Sequence, residues 1–360
     1  MTARDPANAV RGEAPPELVI GRAVGAAHPP FVIAELSANH LGSLERALAI
    51  VDAAADAGCD AIKLQTFTPD AMTIDTAAGD FHIADGPWQG RSLWDLYDEA
   101  HTPWDWHARL FAHGAARGLV VFSTPFDERA VWQLDRLGAP AFKIASFELV
   151  DLELIACAAR TGKPLIMSTG MASDDEVGEA LETARSHGAG GVALLHCVSG
   201  YPTPIEHTNL RRLDALARHG TVVGISDHSP GAIVPIAAVA RGASIVEKHL
   251  TLARADGGPD AGFSLEPLEM AEVVRGARLA FAALGDGSAR RPSSEHHARK
   301  FRRSLYAVAD IAAGDELSRA NVRSIRPGGG LAPRELPNLL GRRARVAIAR
   351  GTALAWELIE

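Results

Sequence analysis

The sequence predicts an α/β fold, a (β/α)8 TIM barrel, followed by a small β-rich module. Three observations point there. Between residues 31 and 285, a short apolar, β-branched run followed by a segment with helical spacing of apolar residues recurs eight times. The runs are near-continuously hydrophobic, as expected of parallel strands covered by helices on both faces. No G-x-G-x-x-G follows the first run, although an open nucleotide-binding sheet usually carries one there. Eight units over about 250 residues suit a closed barrel.

The strands, in order, are FVIAEL (31–36), DAIKLQTF (60–67), LVVFSTP (119–125), AFKIAS (141–146), PLIMSTG (164–170), GVALLHC (191–197), VVGISDH (222–228) and SIVEKHL (244–250). The helices that follow them are LERALAIVDAAADAG, WHARLFAHGAARG, RAVWQLDRLG, LELIACAARTG, DDEVGEALETARSHG, NLRRLDALARHG, AIVPIAAVARG and PLEMAEVVRGARLAFAALG. Each ends in glycine, the residue that most readily takes the left-handed turn past a helix. The fifth opens on a capping box, Ser173 with Glu176. One connection breaks the pattern. Between the second strand and its helix run residues 68–104, rich in aromatics and turn formers, where two to six residues are usual. A long loop over the barrel mouth is a candidate substrate lid.

A chain of 360 residues exceeds one ordinary domain, which fits a large barrel (17–285), a linker (286–303) and a small module (304–360). No apolar run reaches about 18 residues, so no membrane span is expected. The net charge of −8 disfavours a nucleic-acid partner, but it conceals a division. Residues 1–285 hold 22 basic and 36 acidic side chains, whereas 286–360 hold 14 basic and 8 acidic. The basic segment lacks the interleaved aromatics that stack on bases. Cys59, Cys157 and Cys197 form no C-x-x-C pair, so neither a disulfide framework nor a structural zinc is suggested. Residues 1–16 carry no apolar signal core and suggest a disordered lead-in; the expected location is cytoplasmic.

Polar side chains close every strand: Glu35, Lys63 and Gln65, Ser123 and Thr124, Lys143 and Ser146, Ser168 and Thr169, His196, Ser226 and His228, and Glu247 to His249. Barrel active sites sit at that end. His228 and His249 close adjacent strands, about 4.8 Å apart, so both imidazoles can reach one cation. Two nitrogens, with water or substrate completing the shell, suit Mn²⁺, Mg²⁺ or Co²⁺ better than structural zinc; the alternative is a pair of satisfied polar caps. Lys63, Lys143, Ser146, Ser168, Ser199 and Ser226 supply the ammonium and hydroxyl donors that a phosphate or carboxylate needs, although any single serine could serve only as a helix cap. Glu35 is either a general base or the partner of Lys63 in a salt bridge. Lys63 and Lys143 also admit a Schiff-base aldolase; Lys248 does not, because strand alternation turns it away from His249.

The last 57 residues contain brief β-type runs separated by AGDE, PGGG and ARGT turns. DIAAGDELSRANV and AIARGTALAWELI share the form apolar strand, glycine turn, short helix. A module of that size is marginally stable alone, so docking on a larger surface is expected.

FVIAELSANHLGS, DAIKLQTFTPDAMTID, FSTPFD, FKIASFE, MSTGMA, LLHCVSGYPTP, GISDHS, VEKHLTL, GGPDAGFSLEP, KFRRSLYAVADIAAG and SIRPGGGL together resemble the sialic acid synthase family from about residue 17 to the C-terminus. The resemblance makes the small module an antifreeze-like (SAF) domain. AELSANH, GPWQGRSLWDLYDEAHTPWDWH and FSTPFD are similar to the pseudaminic acid branch rather than the N-acetylneuraminate branch, whose first strand reads IGINHNG. It implies an enzyme, a transferase that condenses phosphoenolpyruvate with an N-acetylated amino sugar in aldehyde form and releases phosphate by C–O cleavage. For that branch the sugar is 2,4-diacetamido-2,4,6-trideoxy-L-altrose; legionaminate or neuraminate precursors are alternatives with the same chemistry, and a carbohydrate-binding protein lies outside the enzymes. The implied roles are a divalent ion on His228 and His249, Glu35 acting on the water that traps C2, Lys143, Ser146, Ser168 and Ser226 around phosphate, and Lys63 and Thr124 on the carboxylate. Gln65, Glu148, Tyr201 and Asp260 match positions near the sugar. Ser199 stands where the neuraminate branch has asparagine. The family's domain-swapped homodimer implies that Arg326 reaches a partner's mouth.

Overall fold

The computed structural model describes residues 16–290 and 292–360. The expected lead-in thus lies outside the described residues, apart from Pro16. The chain forms two compact units that part between Gly285 and Asp286.

In the first unit, a hairpin of β1 (Glu17–Ile20) and β2 (Arg22–Gly25) precedes eight strands: β3 (Phe31–Glu35), β4 (Ala61–Thr66), β5 (Val120–Pro125), β6 (Phe142–Ile144), β7 (Leu165–Ser168), β8 (Val192–Cys197), β9 (Val222–Ser226) and β10 (Ile245–His249). All pair in parallel in chain order, and β10 closes on β3. The helices are α1 (Leu44–Asp56), α2 (Pro69–Met72), α3 (Leu93–Ala100), α4 (His107–Ala116), α5 (Glu128–Arg136), α6 (Leu152–Ala159), α7 (Asp174–Ser186), α8 (Arg212–Ala217), α9 (Ile233–Ala240) and α10 (Pro267–Leu284). The capping box of Ser173 and Glu176 forms at the start of α7. The long loop is not structureless: it carries α2 and α3, and an antiparallel bridge joins His82 to Ser92.

Alternation along the strands divides the core. Phe31, Ile33, Ala61, Phe122, Ala141, Ile166, Ala193, Leu195, Val222 and Ile245 fill the barrel interior with Leu18, Ile20 and Val24 of the hairpin. Their neighbours along the strands, such as Val32, Ile62, Phe142 and Met167, pack outward under the helices. The hairpin is an element that the sequence pattern does not announce, because four-residue strands present too short an alternation. It plugs the end of the barrel opposite the mouth. Arg22 donates to Asp60 Oδ1 at 3.0 Å, while Asp60 Oδ2 accepts from Val32 N at 2.9 Å, tying the plug to the strand starts.

The second unit contains antiparallel β11 (Ser304–Ala307) and β12 (Val322–Ile325), short helix α11 (Leu336–Leu339), and several single bridges around a core including Leu305, Ile311, Leu317, Val322, Ile348 and Leu354. The expected short helices shrink. Trp356–Leu358 is one 3-10 turn, and the other is a turn in which Ser318 N donates to Asn321 Oδ1 at 2.7 Å. The end of the expected linker belongs to this unit: Gly328 N donates to the Lys300 carbonyl at 2.8 Å. Among the described residues, no helix is long and apolar enough to cross a membrane.

Candidate active site

Strand parity decides which polar strand ends meet. Glu35, Lys63, Gln65, Thr124, Lys143, Ser168, Ser226, Glu247 and His249 share parity with the interior layer and continue it towards the mouth. Ser123, His196 and Lys248 have the other parity, which corrects the expectation that every polar strand end converges there. Ser123 Oγ bonds Thr66 Oγ1 at 2.6 Å, and His196 Nε2 lies 2.6 Å from the Thr208 carbonyl. Lys248 Nζ pairs with Asp227 Oδ2 at 3.0 Å, fully buried, and away from His249 as alternation requires.

At the centre, Lys63 Nζ lies 2.6 Å from Glu35 Oε2 and 3.5 Å from Glu247 Oε1, and donates to Thr124 Oγ1 at 3.1 Å. Burial opposes charge on Lys63, but Glu247 and Glu35 outweigh it and hold the ammonium protonated. A Schiff-base lysine needs the reverse. Burial pushes the Glu35 carboxyl up to about 7, reduced by Lys63 and reinforced by the charge on Glu247. Burial also opposes Glu247, yet Lys63 and Lys143 keep it below the ordinary carboxylate range. Glu35 Oε1 has no hydrogen-bond partner.

Beside this centre is a set of donors. Lys143 Nζ donates to Ser168 Oγ at 2.7 Å and to the Ile144 carbonyl at 2.9 Å; burial lowers its pKa. These polar contacts differ from the apolar pocket that an aldolase lysine needs. Ser146 Oγ accepts from Gly170 N at 3.1 Å, and Ser226 Oγ donates to Glu247 Oε1 at 3.2 Å. A Cβ on Gly170 would lie 2.4 Å from Ser199 Oγ and 2.7 Å from Ser146 Oγ, so glycine is what lets both hydroxyls converge. Ser199 Oγ also lies 3.9 Å from Cys197 Sγ.

The imidazoles of His228 and His249 stand with ring centroids 5.3 Å apart. His228 Nδ1 lies 3.1 Å from the Val198 carbonyl, an arrangement that leaves Nε2 as the free nitrogen. Burial, followed by the neighbouring cations, holds His249 well below its ordinary pKa, and its buried Nδ1 has no partner. A neutral imidazole with an orphaned nitrogen is the donor that a divalent cation needs. Among the described residues, no group of three or more His, Cys, Asp or Glu surrounds a metal position. Were a divalent ion bound here, His228 and His249 would offer it two nitrogens, with water or substrate completing the shell. Tyr201 and Phe263 flank the pair at 4.4 and 5.1 Å between centroids. Trp88 from the long loop packs on both aromatics and donates to the Pro259 carbonyl at 2.8 Å.

Gln65 Nε2 donates to Ser37 Oγ at 3.1 Å, and Ser37 Oγ donates to Asp260 Oδ2. Glu148 Oε2 is buried without a partner, and burial raises that carboxyl to about 7. Arg326 follows β12 in the second unit and is exposed. Glu247 appears in the sequence only as one polar strand end among many, with no role of its own, and Ser37, Phe263 and Trp88 do not stand out there. Glu247 was accessible in principle, since it shares the parity of His249; the other three depend on contacts between distant segments.

The fold and the mouth define a barrel enzyme whose strand ends gather ammonium, hydroxyl, carboxyl and imidazole groups in one place. Residues 50–289 match the NeuB family and residues 302–360 the SAF domain. The chain belongs to the NeuB family. It is similar to the pseudaminic acid synthase of Campylobacter jejuni, at 43% identity over 90% of this chain and 95% of that protein. It is also similar to the pseudaminic acid synthase of Helicobacter pylori, at 39% identity over 92% and 98%. The crystal structure of the N-acetylneuraminic acid synthetase of Leptospira borgpetersenii, in complex with citrate, superposes with a TM-score of 0.71 at 31% identity, covering 78% of this chain and 94% of that one.

Proposed function

We propose that this chain is a pseudaminic acid synthase, a transferase that condenses phosphoenolpyruvate with 2,4-diacetamido-2,4,6-trideoxy-L-altrose and releases phosphate. The observation that carries the reading is the joining, in one mouth, of the Lys143 and Ser168 donor pair with the Glu35–Lys63–Glu247 centre and two adjacent histidines, in a NeuB-family chain. The greater identity to the pseudaminic acid relatives than to the neuraminic structure supports the branch.

Lys143, Ser146, Ser168 and Ser226 receive the phosphate of phosphoenolpyruvate, with Ser199 beside them, and Lys63 with Thr124 holds its carboxylate. Gln65, Glu148, Tyr201 and Asp260 orient the open-chain sugar, and Arg326 reaches an N-acetyl carbonyl from a partner subunit in a domain-swapped homodimer. A Mn²⁺, Mg²⁺ or Co²⁺ ion held by His228 and His249 would supply Lewis acidity towards the sugar aldehyde. Carbon 3 of phosphoenolpyruvate uses its C2–C3 π pair to form the new bond to sugar C1, the aldehyde C=O π pair moves to oxygen, which gains a proton to become a hydroxyl, and C2 becomes electron-poor. Glu35, whose Oε1 is unpartnered, takes the proton of the water that adds at C2. The C2–O bond to phosphate then breaks, its electron pair leaving with phosphate, while the C2 hydroxyl loses its proton and becomes the 2-keto oxygen of the product. The reaction runs in the cytoplasm.

The test is a panel of sugars with phosphoenolpyruvate and Mn²⁺, read by product mass and phosphate release. The altrose sugar is expected to give pseudaminic acid. Turnover only with the legionaminate precursor or N-acetylmannosamine would move the chain to another branch, and failure with every sugar would overturn the reading.

A further inference from the structure

We infer that Ser37 is a positioning residue for the sugar, held in a strained backbone conformation because its hydroxyl sets the two side chains that meet the substrate. The inference rests on the sugar site of the proposed function. Ser37 follows β3 with φ 49°, in the left-handed region that glycine occupies freely and side-chain-bearing residues rarely do. It is buried at 1% exposure. Such outliers persist where the surroundings over-determine them, and they concentrate at functional sites.

The contacts give the reason here. Ser37 Oγ donates to Asp260 Oδ2 and accepts from Gln65 Nε2 at 3.1 Å, while Ala38 N donates to the same Asp260 oxygen at 3.3 Å. One hydroxyl thereby ties the β3 turn to β4 and to the loop after β10. With one amide hydrogen engaged, Gln65 presents its carbonyl oxygen and its second N–H, and Asp260 keeps Oδ1 as an acceptor. That set suits the N–H and O–H donors and the acetyl carbonyl of an acetamido sugar. Neither glycine nor alanine can orient the two groups, although glycine would relieve the backbone.

The test separates hydroxyl from backbone. Ser37→Gly and Ser37→Ala both remove the hydroxyl, but only glycine removes the left-handed strain. If the hydroxyl positions the sugar, both variants raise the sugar KM roughly tenfold, the scale of one lost charge-assisted hydrogen bond, and leave the phosphoenolpyruvate KM within about twofold of wild type. Thermal unfolding then places the glycine variant above the alanine variant. If Ser37 is only a turn residue, kinetics follow stability, and the glycine variant keeps the wild-type sugar KM; that result overturns the inference. The comparison uses whichever aldehyde sugar the wild-type enzyme turns over. A wild type inactive on every sugar overturns both readings, whereas an active wild type with unchanged Ser37→Gly kinetics overturns this one alone.

Discussion

Glu35 and Lys63 form an ion pair of 2.6 Å whose side chains are 1% and 5% exposed, on paired positions of neighbouring strands. Removing one partner from a buried pair leaves an uncompensated charge, which destabilises by about 3–5 kcal/mol. Lys63→Met strands two carboxylates and is expected to show that loss in denaturant unfolding. Glu35→Gln keeps the volume and strands no carboxylate. Its midpoint should stay near wild type while phosphate release falls at least about 100-fold, the scale of a lost general base. Near-normal turnover in Glu35→Gln would exclude the assigned role.

Glu148 makes stability depend on pH. Its carboxyl stands at about 7 in the fold against 4.5 ordinarily, because burial penalises the charge. A raised folded pKa means that the folded state binds the proton more tightly. Glu148 is therefore harmless below pH 4.5, and its stabilising protonation is lost as pH rises to about 7. Glu148→Gln should have little effect at pH 4.5 and stabilise at pH 8 by about 1–3 kcal/mol, one pKa unit being about 1.4 kcal/mol. Equal effects at both pH values would contradict the buried-carboxyl assignment.

Under the proposed function, Lys143 should link anion binding to proton uptake. Burial lowers its pKa, and an arriving phosphate dianion favours the ammonium again. Calorimetric titration with phosphoenolpyruvate above neutral pH, in buffers of different ionisation enthalpy, should reveal net proton uptake. Lys143→Met should abolish that buffer dependence and weaken binding; uptake that survives the substitution would assign the proton elsewhere.

Chelation tests the two histidines. Treatment with EDTA should stop phosphate release, and Mn²⁺, Mg²⁺ or Co²⁺ should restore it. His249→Ala should fold yet fail to respond to added ion. Turnover indifferent to EDTA would remove the ion from the reaction.

Lys248 and Asp227, paired at 3.0 Å outside the barrel layer, brace the segment that bears His228. Asp227 also accepts from Ser229 N and Ser229 Oγ, both at 3.0 Å. Lys248→Met should destabilise by about 3–5 kcal/mol. The double variant Lys248→Met with Asp227→Leu should recover part of that loss, as measured by urea midpoints; no recovery would mean that the pair is not the source.

Much of the architecture was legible because it is periodic. Eight apolar runs and their helices need only local spacing, and the capping box at Ser173 needs four residues. Lys63, Lys143, His228 and His249 stood out as polar groups ending otherwise apolar strands. Glu247 required strand parity as well, and His196 was misplaced for want of it. The β1–β2 hairpin gave little local signal because its apolar residues matter only once they meet Phe31, Phe122 and Ile245.

Local pattern and motif were enough for the barrel, the division of charge near residue 285 and the family. The folded chain was needed to see that Glu35 shares Lys63 with Glu247, that Ser37 bridges Gln65 and Asp260, and that Trp88 packs on Tyr201 and Phe263. The physical reason is range. Hydrophobic periodicity is written within each strand and helix, whereas a carboxyl's ionisation or a hydroxyl's direction is set by groups 28 to 223 residues away that only closure of the barrel brings together.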